Sequence, residues 1–179
     1  MPIDPNRWTQ RTQEAFNAAV SDARARNNPE VTPDHFLLAL LGQEGTAVLP
    51  VLSRLGVAVL ALRNRLDESL GKLPHSYGGA EPSLSREARE TLEQAGRERD
   101  SLGDEWLSVE LILLALSKRV GVSREELLEA LRGVRGSHRV TSQNPEETYQ
   151  ALQKYGRDLT EEARRESARR PLSRAWRGE

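Results

Sequence analysis

An internal repeat with a period of 76 residues limits what this chain can fold into more than any other feature. Shifting the sequence by that length aligns residues 9–41 with residues 85–117 without a gap. Six aligned pairs are identical: Glu14/Glu90, Ala19/Ala95, Leu37/Leu113, Leu38/Leu114, Ala39/Ala115 and Leu40/Leu116. The period is too long for a solenoid array, so the repeat predicts two copies of a small bundle rather than a stack of short units.

Both copies carry the same helix-start signals. In the first copy Thr32-Pro33-Asp34 supplies a hydroxyl cap, a proline at the first helical position and an acid in the first turn. The second copy keeps the hydroxyl as Ser108 and the acid as Glu110. Apolar residues recur at helical spacing around these signals, including a helix predicted to start at Pro5. We therefore predict an all-α fold of two pseudo-twofold-related bundles that share a core, because one copy alone is marginal in size.

The repeat also predicts the domain boundaries. We place the first copy at about residues 5–73 and the second at about 82–136, within a domain of residues 1–137. Gly56-Val57 matches Gly121-Val122 at a shift of 65, so the second copy is shorter by about one helix. Its last helix is predicted to be closed by Gly133 and Gly136. Beyond it we expect a linker and junction helix over residues 138–163, with one or two extra helices, and a basic, disordered tail over 164–179.

Composition excludes several classes of function. The chain has no cysteine, which excludes disulfides, cysteine–zinc sites and thiol catalysis. No phosphate-binding loop is present, and His35, His75 and His138 are isolated, so each is expected to be structural or solvated. We therefore expect no catalytic residue, no cofactor and no metal site, and hence no enzyme.

The charge balance argues against two classes of partner. The 26 basic and 27 acidic residues leave a net charge of −1, which gives no general attraction to nucleic acid or acidic membranes. The apolar runs are far shorter than a membrane span, and no targeting signal is visible. We expect a cytoplasmic protein that binds neither nucleic acid nor membrane.

Five segments resemble a known family. They are Arg7-Trp8-Thr9, the run from Thr32 to Leu41, the run from Gly103 to Leu111, Arg135-Gly136 before the linker, and the run Tyr149–Thr160 (YQALQKYGRDLT). Together they resemble the N-terminal double-repeat domain of the ClpB disaggregases, within the Clp ATPase family. The repeats alone also fit the N-domains of ClpA or ClpC, whereas the linker length and Tyr149–Thr160 favour ClpB.

This resemblance implies a chaperone module that binds unfolded or aggregated protein clients during protein quality control and the stress response. It implies an apolar groove, and its motif places the client-binding polar residues at Thr9, Asp104 and Glu110. Each has an ordinary structural alternative: Thr9 as a first-turn residue, Asp104 as a partner of the Gly103 turn, and Glu110 as an acid near a helix N-terminus.

The resemblance ends near residue 163. Family members continue into a Gly-Lys-Leu-Asp-Pro stretch and an ATPase, whereas this chain reads Arg165-Glu166-Ser167-Ala168-Arg169-Arg170-Pro171 and stops shortly after. Two alternatives to client binding follow. The chain is an adaptor or regulator that docks on a Clp-family ATPase ring, for instance through Tyr149–Thr160, or it is the remnant of a truncated ClpB gene. Because family rings assemble mainly through their ATPase modules, we expect a monomer.

Overall fold

The computed structural model describes residues 3–136 and 138–150. The chain divides into two compact units, residues 1–145 and residues 146–179. In the second unit, residues 146–150 are helical. Most of the Tyr149–Thr160 motif, the rest of the predicted junction helix and the basic tail lie outside the described residues.

Short helices build both halves of the first unit. The first half contains a 3-10 turn over Pro5–Arg7, α1 (Gln10–Ala25), β1 (Glu30–Val31), α2 (Pro33–Leu41), α3 (Val48–Arg54) and α4 (Val59–Gly71). The second half contains β2 (Ser83–Leu84), α5 (Arg86–Leu102), α6 (Val109–Ala115), α7 (Ser117–Val120) and α8 (Arg124–Arg135). The strands have only two residues each, so the predicted all-α class is confirmed.

Backbone hydrogen bonds between the halves obey the pseudo-twofold relation. The amide of Thr9 donates to the carbonyl of Leu107 at 3.0 Å, and the amide of Ser85 donates to the carbonyl of Val31 at 3.0 Å. Each donor and acceptor maps onto its counterpart by the 76-residue shift. The parallel pairing of β1 with β2 and the bridge between Trp8 and Leu107 are the two copies of one arrangement. The predicted shared, twofold-related architecture is therefore confirmed.

An aliphatic core joins the halves. Phe36, Leu40, Leu111 and Ile112 are fully buried, and α2 packs against both α5 and α6. The few aromatic rings cluster at one place, since the ring centroid of Phe16 lies 5.2 Å from that of Trp8 and 5.8 Å from that of Phe36. Burial of these side chains stabilises the unit because apolar surface leaves water.

Two local predictions were wrong. The helix predicted from Pro5 is a single 3-10 turn, because Trp8 is extended to pair with Leu107 and α1 begins only after the Thr9 cap. Gly133 does not close α8 but lies inside it, and Gly136 is the C-cap. A Cβ atom at Gly133 would lie about 2.5 Å from the Arg54 guanidinium of α3, so a larger residue there would have to displace that side chain.

The shorter second copy has a simple structural basis. In the first half the segment 42–47 and the two-turn helix α3 lie between α2 and α4, whereas in the second half only the one-turn helix α7 lies between α6 and α8. Within the described part of the chain, no helix is long and apolar enough to cross a membrane. The same residues hold no group of three or more histidine, aspartate or glutamate side chains that could bind a metal ion.

Candidate functional site

The three predicted site residues converge on one loop, residues 103–108, between α5 and α6. Gly103 begins it in the left-handed conformation at φ 69°, which ends α5. The loop is held from two sides. The amide of Glu105 donates to Val140 at 2.9 Å, and the amide of Leu107 donates to Arg7 at 2.8 Å.

Thr9 fixes the start of α1 against this loop. Its hydroxyl caps the helix by accepting from the amide of Thr12 at 3.2 Å. The hydroxyl of Thr12 in turn donates to the carbonyl of Leu107 at 2.8 Å, the same carbonyl that accepts from the Thr9 amide. Thr9 therefore joins the N-terminal segment to the 103–108 loop.

Asp104 joins the loop to α8 and to the segment after it. One carboxylate oxygen forms an ion pair with Arg135 in which both side chains are buried, and the same oxygen accepts from the amide of Val140 at 2.9 Å. Arg135 also donates to the carbonyl of His138 at 2.6 Å. The Gly103 turn and the end of α8 are thus locked together through one carboxylate.

Glu110 lies in the first turn of α6 with its side chain buried. Among the described residues, neither of its carboxylate oxygens makes a hydrogen bond of ordinary geometry. Burial raises the pKa of Glu110, and this effect outweighs the opposing influence of its own backbone amide, the nearby Ser108 hydroxyl and Arg135. Burial without hydrogen bonds disfavours the charged carboxylate, which is the physical reason that the pKa is raised.

None of the three side chains is open to solvent. The exposed fraction is 0% for Thr9, 6% for Asp104 and 2% for Glu110. In this conformation Thr9 and Asp104 hold the 103–108 loop against the N-terminal segment and α8, and Glu110 lies buried in the helix that follows the loop. The loop forms a wall fixed by buried polar contacts rather than an accessible polar surface.

A groove of about 460 Å³ opens beside that wall. We call it the α5 groove, since it runs along one face of α5 and is bounded on the other side by the N-terminal turn. It is lined by Ile3, Asp4, Arg7, Trp8, Leu92, Glu93, Gly96, Arg97, Arg99, Asp100 and Leu107. None of the three predicted residues lines the groove, although Thr9 lies directly after Trp8 and Asp104 and Glu110 flank Leu107 in sequence.

Sequence reasoning missed the groove-lining residues of α5 and the N-terminal turn. The 76-residue shift pairs Leu92 with Phe16, which predicts an apolar core position for Leu92 rather than a groove. A glycine in the middle of an otherwise strongly helical, charged segment was the available signal. Ile3 carried no signal, because its role depends on the turn that brings it to α5.

The matching family model settles the family. The Clp repeat N-terminal domain matches residues 7–131, more than half of the chain and all of α1 to α7. The chain belongs to the Clp N-terminal repeat domain family. Curated relatives of this Clp N-domain agree: the chaperone protein ClpB of Bacillus cereus is 38% identical over an alignment covering 90% of this chain and 20% of that protein.

Other ClpB proteins show the same proportions. The ClpB of Mycobacterium tuberculosis is 40% identical over an alignment covering 87% of this chain and 20% of its own length. The present chain therefore spans about a fifth of the length of these curated relatives, and the ClpB-like resemblance read from the sequence is confirmed.

Solved structures confirm the fold of the Clp N-domain. The Hsp104 N-terminal domain from Candida albicans superposes with a TM-score of 0.69 at 22% identity, covering 78% of this chain and 98% of that one. A ClpV N-domain in complex with a VipB peptide superposes with a TM-score of 0.56 at 23% identity, covering 71% and 86%.

Proposed function

We propose that this Clp N-domain binds unfolded or aggregated protein clients in the α5 groove, as a non-catalytic module of cytoplasmic protein quality control. The observation that carries the proposal is the groove itself. Its floor is apolar, from Trp8, Leu92 and Leu107, and it lies between two elements that a client segment could contact together.

The buried polar residues give the groove its stability. Thr9 and Asp104 hold the 103–108 loop, whose Leu107 forms part of the floor, and Glu110 is buried in the first turn of the helix after it. We propose that client binding depends on all three because they position this wall, with client contact made by the lining residues. A pre-formed wall lowers the ordering cost of binding an extended segment.

A solved relative supports a peptide ligand. The ClpV N-domain has been determined in complex with a VipB peptide, so an N-domain of this fold binds a protein segment in that case. We propose that the present chain also binds a peptide segment, with apolar client side chains in the α5 groove and polar groups at its edge contacting the client backbone.

The direct test changes an apolar residue that lines the groove. Ile3 is half-buried and packs against the core, whereas Leu60 is 73% exposed on α4 and does not line the groove. Ile3→Asp is expected to weaken binding to a permanently unfolded model protein by roughly tenfold, because a carboxylate replaces an apolar contact. Leu60→Asp is the matched control and is expected to bind as the wild type does. Binding is measured by chemical-shift titration.

A second arm tests the supporting residues. Thr9→Ala, Asp104→Ala and Glu110→Ala are titrated alongside their thermal unfolding curves, so that loss of fold is separated from loss of binding. Folded variants that bind the client unchanged would contradict the assignment of these three residues. A wild-type chain that binds no unfolded protein would contradict the proposed function as a whole.

A further inference from the structure

Gly96 leaves the backbone of α5 bare at the α5 groove. A Cβ atom placed on it would meet no other atom within 4 Å. The lining residues Leu92, Glu93, Gly96, Arg97 and Asp100 are spaced as one face of a helix, and Gly96 lies at its centre. The groove is therefore open where a side chain would otherwise stand.

The backbone gives no reason for glycine at this position. Its φ is not positive, and no neighbouring chain approaches it, in contrast to Gly103 at φ 69° or Gly133 beneath Arg54. Glycine in a helix interior is destabilising relative to alanine. Gly96 therefore lowers the stability of α5 without meeting any requirement of the backbone, and what it provides is open space in the groove.

The other half of the molecule shows what the space would otherwise contain. The 76-residue shift maps Gly96 onto Val20 of α1, while Leu92 maps onto Phe16 and Ala95 onto Ala19. Val20 is half-buried and packs against the core. The same helix face is thus apolar and filled in the first half, and vacant in the second.

Charge gives the groove little power to select a ligand. Its described lining residues include three carboxylates, Asp4, Glu93 and Asp100, and three guanidinium groups, Arg7, Arg97 and Arg99. Asp100 pairs with Arg99 at 2.8 Å, and Arg7 donates to the carbonyl of Glu105. Because the charges around the groove balance, we expect client segments to be distinguished by the size of the side chain that enters the groove.

We propose that Gly96 is the specificity-determining residue of the α5 groove, where it leaves room for one bulky apolar side chain, such as leucine or phenylalanine, of an extended client segment. This inference rests on the proposed function and names the feature of the client that the groove selects. A larger residue at position 96 would occupy the same space and exclude the client side chain.

The test uses two short capped peptides of glycine and serine that differ only in a central phenylalanine or alanine. The wild type is expected to bind the phenylalanine peptide roughly tenfold more tightly, from burial of one aromatic side chain. Gly96→Leu is expected to abolish that preference and leave the alanine peptide unchanged. Gly71→Leu is the matched control, since Gly71 is also helical with open space at its Cβ position but lies outside the groove. Affinities are measured by chemical-shift titration.

Gly96→Ala keeps the test valid if the leucine variant does not fold. It is expected to be at least as stable as the wild type, because alanine favours a helix, and to reduce the preference for phenylalanine in part. An unchanged preference in Gly96→Ala and Gly96→Leu would overturn the role of Gly96 and leave client binding intact. A wild type that binds neither peptide nor an unfolded protein would overturn both proposals.

Discussion

The two halves have the same backbone conformation at the turn that follows α1 and α5, but they bury different polar side chains there. Asn27 and Gly103 both adopt positive φ, at 56° and 69°. The next residues donate to equivalent carbonyls, Asn28 to Ala23 at 2.9 Å and Asp104 to Arg99 at 3.0 Å. The Asn28 side chain then forms a hydrogen bond with the buried His35 at 3.1 Å, whereas the Asp104 carboxylate forms a buried ion pair with Arg135.

The acidic residue in the first turn of the next helix, α2 in the first half and α6 in the second, also differs in its partners. Asp34 pairs with Arg119 at 2.7 Å and accepts from Ser69 at 3.0 Å. Its counterpart Glu110 is buried and makes no hydrogen bond among the described residues. Both halves have the same backbone hydrogen bonds, but the second half buries the acidic side chains Asp104 and Glu110 beside the groove, whereas the equivalent Asn28 is uncharged and Asp34 forms an ion pair. The halves should therefore respond differently to matched substitutions.

The largest contrast is expected at the buried ion pair. Arg135→Ala leaves the Asp104 carboxylate buried without its cation, which should lower the free energy of unfolding by about 3–5 kcal/mol. Arg119→Ala removes the more exposed partner of Asp34 and should cost about 1 kcal/mol or less. Urea unfolding of both variants provides the measurement, and equal losses would remove the distinction between the halves.

The next contrast concerns pH. Because the pKa of Glu110 is raised by burial, the folded state holds its proton to higher pH than the unfolded chain does, and stability falls as pH rises above about 4.3, the ordinary value for glutamate. Glu110→Gln should therefore stabilise the protein at neutral pH by about 1–3 kcal/mol, with the difference vanishing near pH 4.

Asp34→Asn is the matched substitution for this pH test. It removes an ion pair instead of a buried charge, so it should leave stability unchanged or slightly lower at neutral pH. Unfolding of all three proteins across a pH series provides the comparison. If the Glu110→Gln and wild-type curves run parallel at every pH, the buried acid does not titrate as inferred.

The smallest contrast separates stability from binding. Thr9 and Ser85 are equivalent helix caps, accepting from Thr12 at 3.2 Å and from Ala88 at 3.1 Å. Replacing either with alanine should cost about 1 kcal/mol in thermal unfolding. Only Thr9→Ala should also weaken client binding, because only Thr9 joins the wall of the α5 groove. A binding loss of equal size in Ser85→Ala would show that the effect is general destabilisation.

The sequence predicted the repeated architecture because its signals are local. The hydroxyl caps at Thr32 and Ser108 and the helical spacing of apolar residues depend only on residues a few positions apart. Each signal also occurs in both copies of the 76-residue repeat, which strengthens the prediction. The family resemblance, rather than these local signals, pointed to Thr9, Asp104 and Glu110. It did not indicate that these side chains would be buried.

By itself, the amino-acid sequence determined the helical class, the twofold duplication and the family. The tertiary structure alone decided that the N-terminal turn lies against α5, that Gly96 faces open space and that Glu110 lacks a hydrogen-bond partner within the described residues. Caps and periodicity arise between neighbours in the chain, whereas a groove and a buried charge depend on segments about a hundred residues apart, such as Trp8 and Leu107.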